Sequence, residues 1–150
     1  MRFSEDKSPY KTSIAAVLTP SGTKKCGGLL YVHMDATGGF TGTGLHILAP
    51  KPLKPSLQAI VEDAAAFVKV RDALAGADRN LADDNRLTSM PRGFEEHGDH
   101  RHADAVQLKS LLFSQELPKV AFTSGDVVNR VAKMARDAMQ FLVWGREVTT

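Results

Sequence analysis

Arg2, Asp6, Lys7 and Tyr10 open the chain in the run Arg2-Phe3-Ser4-Glu5-Asp6-Lys7-Ser8-Pro9-Tyr10-Lys11. Their side chains have the chemistry of anion recognition. Arginine offers a planar donor fork matched to carboxylate or phosphate, lysine a compact cation, and tyrosine a hydroxyl that orients a bound group. Asp6 could hold Arg2 or Lys7 in place, or act as a base if burial raises its pKa. The same four groups could instead saturate one another as a polar clasp that pins the opening segment across a sheet and binds nothing. Two functional readings follow. One is a small domain that binds an anionic small molecule or an acidic peptide through Arg2, Asp6, Lys7 and Tyr10. The other is a structural or protein-interaction module in which the cluster is a clasp and an exposed apolar sheet surface meets a second copy or another protein.

A second constellation is His97-Gly98-Asp99-His100-Arg101-His102-Ala103-Asp104. His97, His100, His102 and Asp104 are donors suited to zinc or a similar divalent ion. A solvated histidine-rich loop is the alternative. The run Gly38-Gly39-Phe40-Thr41-Gly42-Thr43-Gly44 resembles a phosphate loop in composition only. A phosphate loop is followed by a helix N-terminus, and here a strand continues. With Met34 paired to Phe40, Gly42 and Gly44 would share a face with Val32 and Leu30; a slip of one residue exchanges the faces. His33 and His46 fall in strands and read as hydrogen-bonded core or edge residues. The sequence holds no nucleophile elbow, Walker motif or paired zinc cysteines, and no visible pairing of a base with a nucleophile. It therefore names no reaction and implies no cofactor.

The elements that must position these groups fit one domain of 150 residues. The net charge of +2 is too small to argue for nucleic acid or a membrane surface. Charge is uneven, however. Residues 76–104 hold four arginines against seven acids, a net −3, and the remainder is +5. The single cysteine, Cys26, excludes an internal disulfide and fits a reducing cytosol. No apolar leader is visible and the apolar runs near Leu29 and Phe141 are too short to span a bilayer, so the expected location is cytoplasmic.

Strands are predicted over 14–18, 27–34 and 40–48, with a loop at Asp35-Ala36-Thr37-Gly38-Gly39, which makes an antiparallel meander. Pro50, Pro52 and Pro55 stiffen the exit. An amphipathic helix follows, capped by Ser56 and ended by Gly76, with a break near Asp63. The polar stretch 76–101 is too long for a structureless loop and predicts a short helix over 80–87. Pro91-Arg92-Gly93-Phe94 is a turn with one aromatic anchor. Residues 103–108 predict a short helix, and 110–116 a fourth strand closed by Pro118. The last helix is capped by Thr123, carries Val127, Val131, Met134, Ala138 and Phe141 as its buried stripe, and stops at Trp144-Gly145. The order predicts an α+β domain, a meander of about four strands with helices on one face.

The opening residues, from Arg2 to Thr12, resemble the signature of domain-of-unknown-function family 2461, found in bacteria and fungi: an Arg-Asp pair, then Arg-Phe, Asp/Asn-Lys and a Tyr. Leu30-Tyr31-Val32-His33, Phe40-Thr41-Gly42-Thr43-Gly44, Pro91-Arg92-Gly93-Phe94 and Leu108-Lys109-Ser110 are similar to its later landmarks. The resemblance runs from Arg2 to about Trp144. It implies that this chain corresponds to the C-terminal part of the family's domain. Members carry a further helical region before the signature, ending in the Arg-Asp pair, so a shortened form is expected here. A second departure is Arg101, where the resemblance implies a proline.

Overall fold

A computed structural model describes residues 11–19, 22, 29–45, 53–84 and 86–149. Strands β1 (Ser13–Leu18), β2 (Leu29–Asp35), β3 (Gly38–Leu45) and β4 (Leu111–Pro118) form one antiparallel sheet in the order β1-β2-β3-β4. The domain is α+β, as its pattern predicts.

The sheet register is set at the β2–β3 turn. Asp35 accepts hydrogen bonds from the Thr37 amide and hydroxyl, both at 2.7 Å, so the turn closes after two residues, Ala36 and Thr37. Gly38 follows with φ 143°, a conformation only glycine adopts readily. Asp35 therefore pairs with Gly38, His33 with Phe40 and Tyr31 with Gly42. This corrects the expected Met34–Phe40 pairing by one residue. Gly42 and Gly44 lie on the face of Tyr31 and Leu29, opposite to Val32 and Leu30.

The other face, with Thr41, Thr43, Leu45, Leu111, Phe113 and Leu117, is buried. The two threonines are satisfied there because their hydroxyls donate to the Tyr31 and Leu29 carbonyls, at 3.0 and 2.8 Å. Helices α1 (Leu53–Glu62), α2 (Ala64–Gly76), α3 (Ala103–Val106), α4 (Lys119–Thr123), α5 (Val127–Asp137) and α6 (Met139–Thr149) supply the rest of the core. Phe67, Ile60, Val106, Met134, Ala138 and Phe141 are among its fully enclosed members. Against the sheet the helices touch β3 and β4. The half formed by β1 and β2 keeps much of its surface in solvent: Ile14 is 67% and Leu18 51% exposed.

Several helix ends differ from expectation. Ser56 lies inside α1, because the helix starts at Leu53 and places Pro55 in its first turn, where an amide has no intrahelical partner anyway. The break near Asp63 is present, and the Asp63 carboxylate caps α2 by accepting from the Ala66 amide at 3.0 Å. Gly76 is the last residue of α2 but does not turn the chain. Asp78 does, at φ 58°, with Arg79 N donating to Leu74 O and Asp78 N to Ala75 O.

No helix forms over 80–87 among the described residues. That stretch spends its backbone on neighbours instead. Ala82 N donates to Leu112 O at 2.7 Å, Leu87 N donates to Gln107 O at 2.8 Å, and Arg86 bridges Leu108. It shields the outer edge of β4.

Thr123 ends α4 rather than capping the last helix, and the expected single helix is divided at Ala138 into α5 and α6. The second of these continues through Trp144 and Gly145 to Thr149. Gly145 is a packing residue: a Cβ there would lie 2.6 Å from Leu45 Cδ2, so its absence lets α6 lie close on β3. Among the described residues no helix is long and apolar enough to cross a membrane.

Candidate functional site

Arg2, Asp6, Lys7 and Tyr10 lie outside the described residues, as do Cys26 and His46. Residues 1–10 precede β1 in the chain, and β1 begins at Ser13, the register partner of Asp35, at the end of the sheet that also bears Gly38 and Pro118.

A groove opens at that end, on the face opposite the helices. It has a volume of about 860 Å³ and is lined by His33, Asp35 and Thr37, by Gly38 to Phe40, and by Ser114 and Glu116 to Pro118. Strand alternation puts these side chains together. Across the sheet the row His33, Phe40, Glu116 is followed by the row Tyr31, Gly42, Ser114. Phe40 is 39% exposed, unusual for a large aromatic side chain in the middle of a sheet. His33 stacks on it with ring centroids 5.3 Å apart and planes 20° apart. Tyr31 leans on it at 5.6 Å and 38°. The three rings form a slab with hydrogen-bonding groups at its rim.

Asp35 is the most organised rim group. The Thr37 hydroxyl and amide hold its carboxyl below the ordinary value of 3.8, slight burial opposes them, and the Gly38 amide and His33 add to the lowering. Its Oδ2 lies 3.7 Å from His33 Nε2. Glycine spacing shapes the floor. A Cβ on Gly39 would fall 1.9 Å from the His33 carbonyl oxygen and one on Gly44 2.1 Å from that of Leu111, whereas one on Gly42 would make ordinary contacts at 3.5 Å and beyond. Gly39 and Gly44 are thus required by the backbone, and Gly42 leaves a notch between Tyr31 and Ser114.

The histidine-rich segment is arranged differently. His102 is buried under α2, edge-on to Phe67, with Nε2 3.3 Å from Ala64 O and Nδ1 3.3 Å from Arg71 Nη1. Those partners select the neutral tautomer, with Nε2–H donating and Nδ1 accepting. Burial pushes the His102 pKa down from 6.5; the Ala64 carbonyl opposes this, and the charges of Arg71, Arg101 and His100 add to it. Asp104 takes two hydrogen bonds from Arg71, at 3.0 and 3.1 Å. His97 and His100 are half-buried, their rings 6.4 Å apart. Among the described residues no three His, Cys, Asp or Glu side chains gather as a metal-holding group.

Two clusters had no advance signal. Arg79, released by the Asp78 turn, donates to Asp137 at 3.2 and 3.3 Å and to Gln115 at 2.8 Å, and ties α2, α5 and β4 together. Arg71, Arg79 and Arg86, with Asp83 and Asp104, also line a small cavity of about 70 Å³. The groove residues had a faint signal: polar or aromatic residues alternate with apolar ones through Tyr31, His33 and Asp35 and again through Ser114 and Glu116.

A family model described as "Conserved hypothetical protein (DUF2461)" matches residues 1–144. No curated protein matches the chain, and no solved structure matches it.

Proposed function

We propose that this chain, which belongs to the DUF2461 family, is a ligand-binding domain that takes a small molecule on the uncovered face of its sheet. The observation that carries the reading is the exposed Phe40, stacked with the half-buried His33 and Tyr31, at an open groove rimmed by Asp35, Ser114 and Glu116. Aromatic rings held at a solvent-facing groove offer stacking area, and a few convergent polar groups supply orientation. The finer reading is that the ligand carries an anionic group met by Arg2, Lys7 and Tyr10, with Asp6 as their partner. What supports it is connectivity, because those residues lead into β1 at the end where the groove opens.

Thermal-shift measurements with a panel of phosphates and carboxylates, with and without an aromatic portion, test both levels. Stabilisation of wild type that is lost in Phe40→Ala supports the groove. Equal stabilisation of wild type and Phe40→Ala moves the site elsewhere. Equal stabilisation of wild type and Arg2→Ala removes the opening cluster from the reading.

The second reading, an interaction module, is favoured by β1 itself. This edge strand holds no charge and no proline between Ser13 and Leu18, so it lacks the usual protection against strand pairing. A second copy paired antiparallel about Ala16 would set Ile14 against Leu18 of its partner, joining the two most exposed apolar groups of the strand. Light scattering across a concentration series tests it. A monomer at all concentrations, unchanged by Ile14→Lys, rejects the pairing.

A further inference from the structure

The charges of the groove indicate which part of a ligand it receives. Resting on the reading that the ligand lies on the uncovered sheet face, we propose that the groove beside Phe40 is a subsite for a small organic cation. The group is an amine or quaternary ammonium seated on the open face of Phe40 between the carboxylates of Asp35 and Glu116. Among the described residues, two carboxylates line this groove and no lysine or arginine does. An anion is repelled there, and a cation is complemented on both sides.

The aromatic geometry selects the kind of cation. His33 and Tyr31, both on β2, pack on the Phe40 ring. Phe40 nevertheless stays 39% exposed, and its register partner on the β4 side is Glu116. A positive charge over a free aromatic face is attracted by the ring quadrupole, the interaction by which aromatic surfaces hold quaternary ammonium groups. Gly38, between Asp35 on β2 and Pro118 on β4, puts no side chain in the way. Thr37 donates twice to Oδ1 of Asp35, and Oδ2 lies 3.7 Å from His33 Nε2. Glu116 is exposed.

A divalent metal ion is a poor fit. Asp35 and Glu116 sit on strands separated by β3, about 10 Å apart in the sheet direction, and hard cations need several oxygens within about 2.6 Å. An ammonium group needs only the field of both carboxylates and one ring face.

The test is titration of the ¹⁵N-labelled chain with choline and, separately, with its neutral isostere 3,3-dimethyl-1-butanol, followed by NMR at constant ionic strength. Inorganic phosphate serves as the anion control. The variants are Phe40→Leu and Glu116→Gln, both at exposed positions that leave the core intact; Asp35→Asn is avoided because Asp35 organises the turn. The expected result is choline binding that shifts the amides of His33, Phe40 and Glu116, at least fivefold tighter than the isostere. Each variant should weaken it at least threefold and leave phosphate binding unchanged.

Equal binding of choline and the isostere overturns the proposal, as does choline binding that neither variant weakens. So does binding of a lysine-rich peptide in the absence of choline binding, which would make the groove a protein-docking surface. Phosphate binding that depends on Arg2, with no choline binding, sinks the cation subsite alone. If neither probe binds and no ligand of the wider panel is sensitive to Phe40→Ala, the groove reading falls with it.

Discussion

Arg71 on α2 and Asp104 on α3 face each other in a two-pronged ion pair at 3.0 and 3.1 Å, and the same guanidinium reaches the His102 ring. The pair fastens the histidine-rich segment to the helical layer. It explains why two residues that read as metal donors have protein partners. Both members are about two-fifths exposed, 38% and 42%, so water and salt screen much of their attraction. Arg71→Ala should lower unfolding free energy by about 1 kcal/mol, as measured by urea titration.

Arg79 should matter more. It is 11% exposed and Asp137 15%, and its removal leaves Gln115 without its donor and Asp137 with Lys133 alone. Arg79→Ala should cost about 2–3 kcal/mol in the same titration. A loss no larger than that of Arg71→Ala would count against the three-way tie.

Stability should fall in two steps as pH is lowered. The first step belongs to His102. Its pKa is depressed in the fold, so the unfolded chain takes up the proton first, and stability is lost below the ordinary value of 6.5 until the folded value is passed. The second belongs to the depressed carboxylates, the ion-paired Asp104 and Asp137 together with the surface Asp35. Burial raises Asp104, but the Arg71 hydrogen bonds and charge outweigh it. The Lys133 hydrogen bond lowers Asp137 first, with Arg79 adding to it against burial. Their contribution is present above the ordinary 3.8 and is lost as pH falls through the depressed values. His102→Gln should remove the first step from a pH series of melting temperatures and leave the second.

The glycines of β3 give a sharp test of register. Gly44 has φ 140° and a Cβ there meets the Leu111 carbonyl at 2.1 Å, whereas at Gly42 the nearest atom is 3.5 Å away. Gly44→Ala should destabilise by roughly 2–4 kcal/mol and Gly42→Ala by less than about 1 kcal/mol. Equal costs in thermal melts would favour the shifted Met34–Phe40 pairing.

Two phenylalanines separate groove from core. Phe67 is wholly enclosed and Phe40 is 39% exposed. Phe67→Ala should cost about 3–5 kcal/mol, while Phe40→Ala should change stability by less than about 1 kcal/mol. Parallel denaturant curves of the two variants check this, and they show whether Phe40→Ala is a fair control for binding.

By itself, the sequence determined what depends on near neighbours. Strand alternation, the breaks at proline and glycine, the 3.6-residue period of the helices and the family signature are all local patterns, and they suffice for an α+β meander. The position of Phe94 as an anchor and the break at Asp63 were equally legible. Tertiary structure decided whatever depends on a partner distant in the chain. Gly145 reads as a stop and is a contact point, because Leu45 arrives from β3. Residues 80–87 read as a helix, and none forms among the described ones, because Gln107, Leu108 and Leu112 pair with their backbone instead. The groove was hidden for the same reason: Asp35, Phe40 and Glu116 become neighbours only through a register set by one aspartate's hydrogen bonds to Thr37.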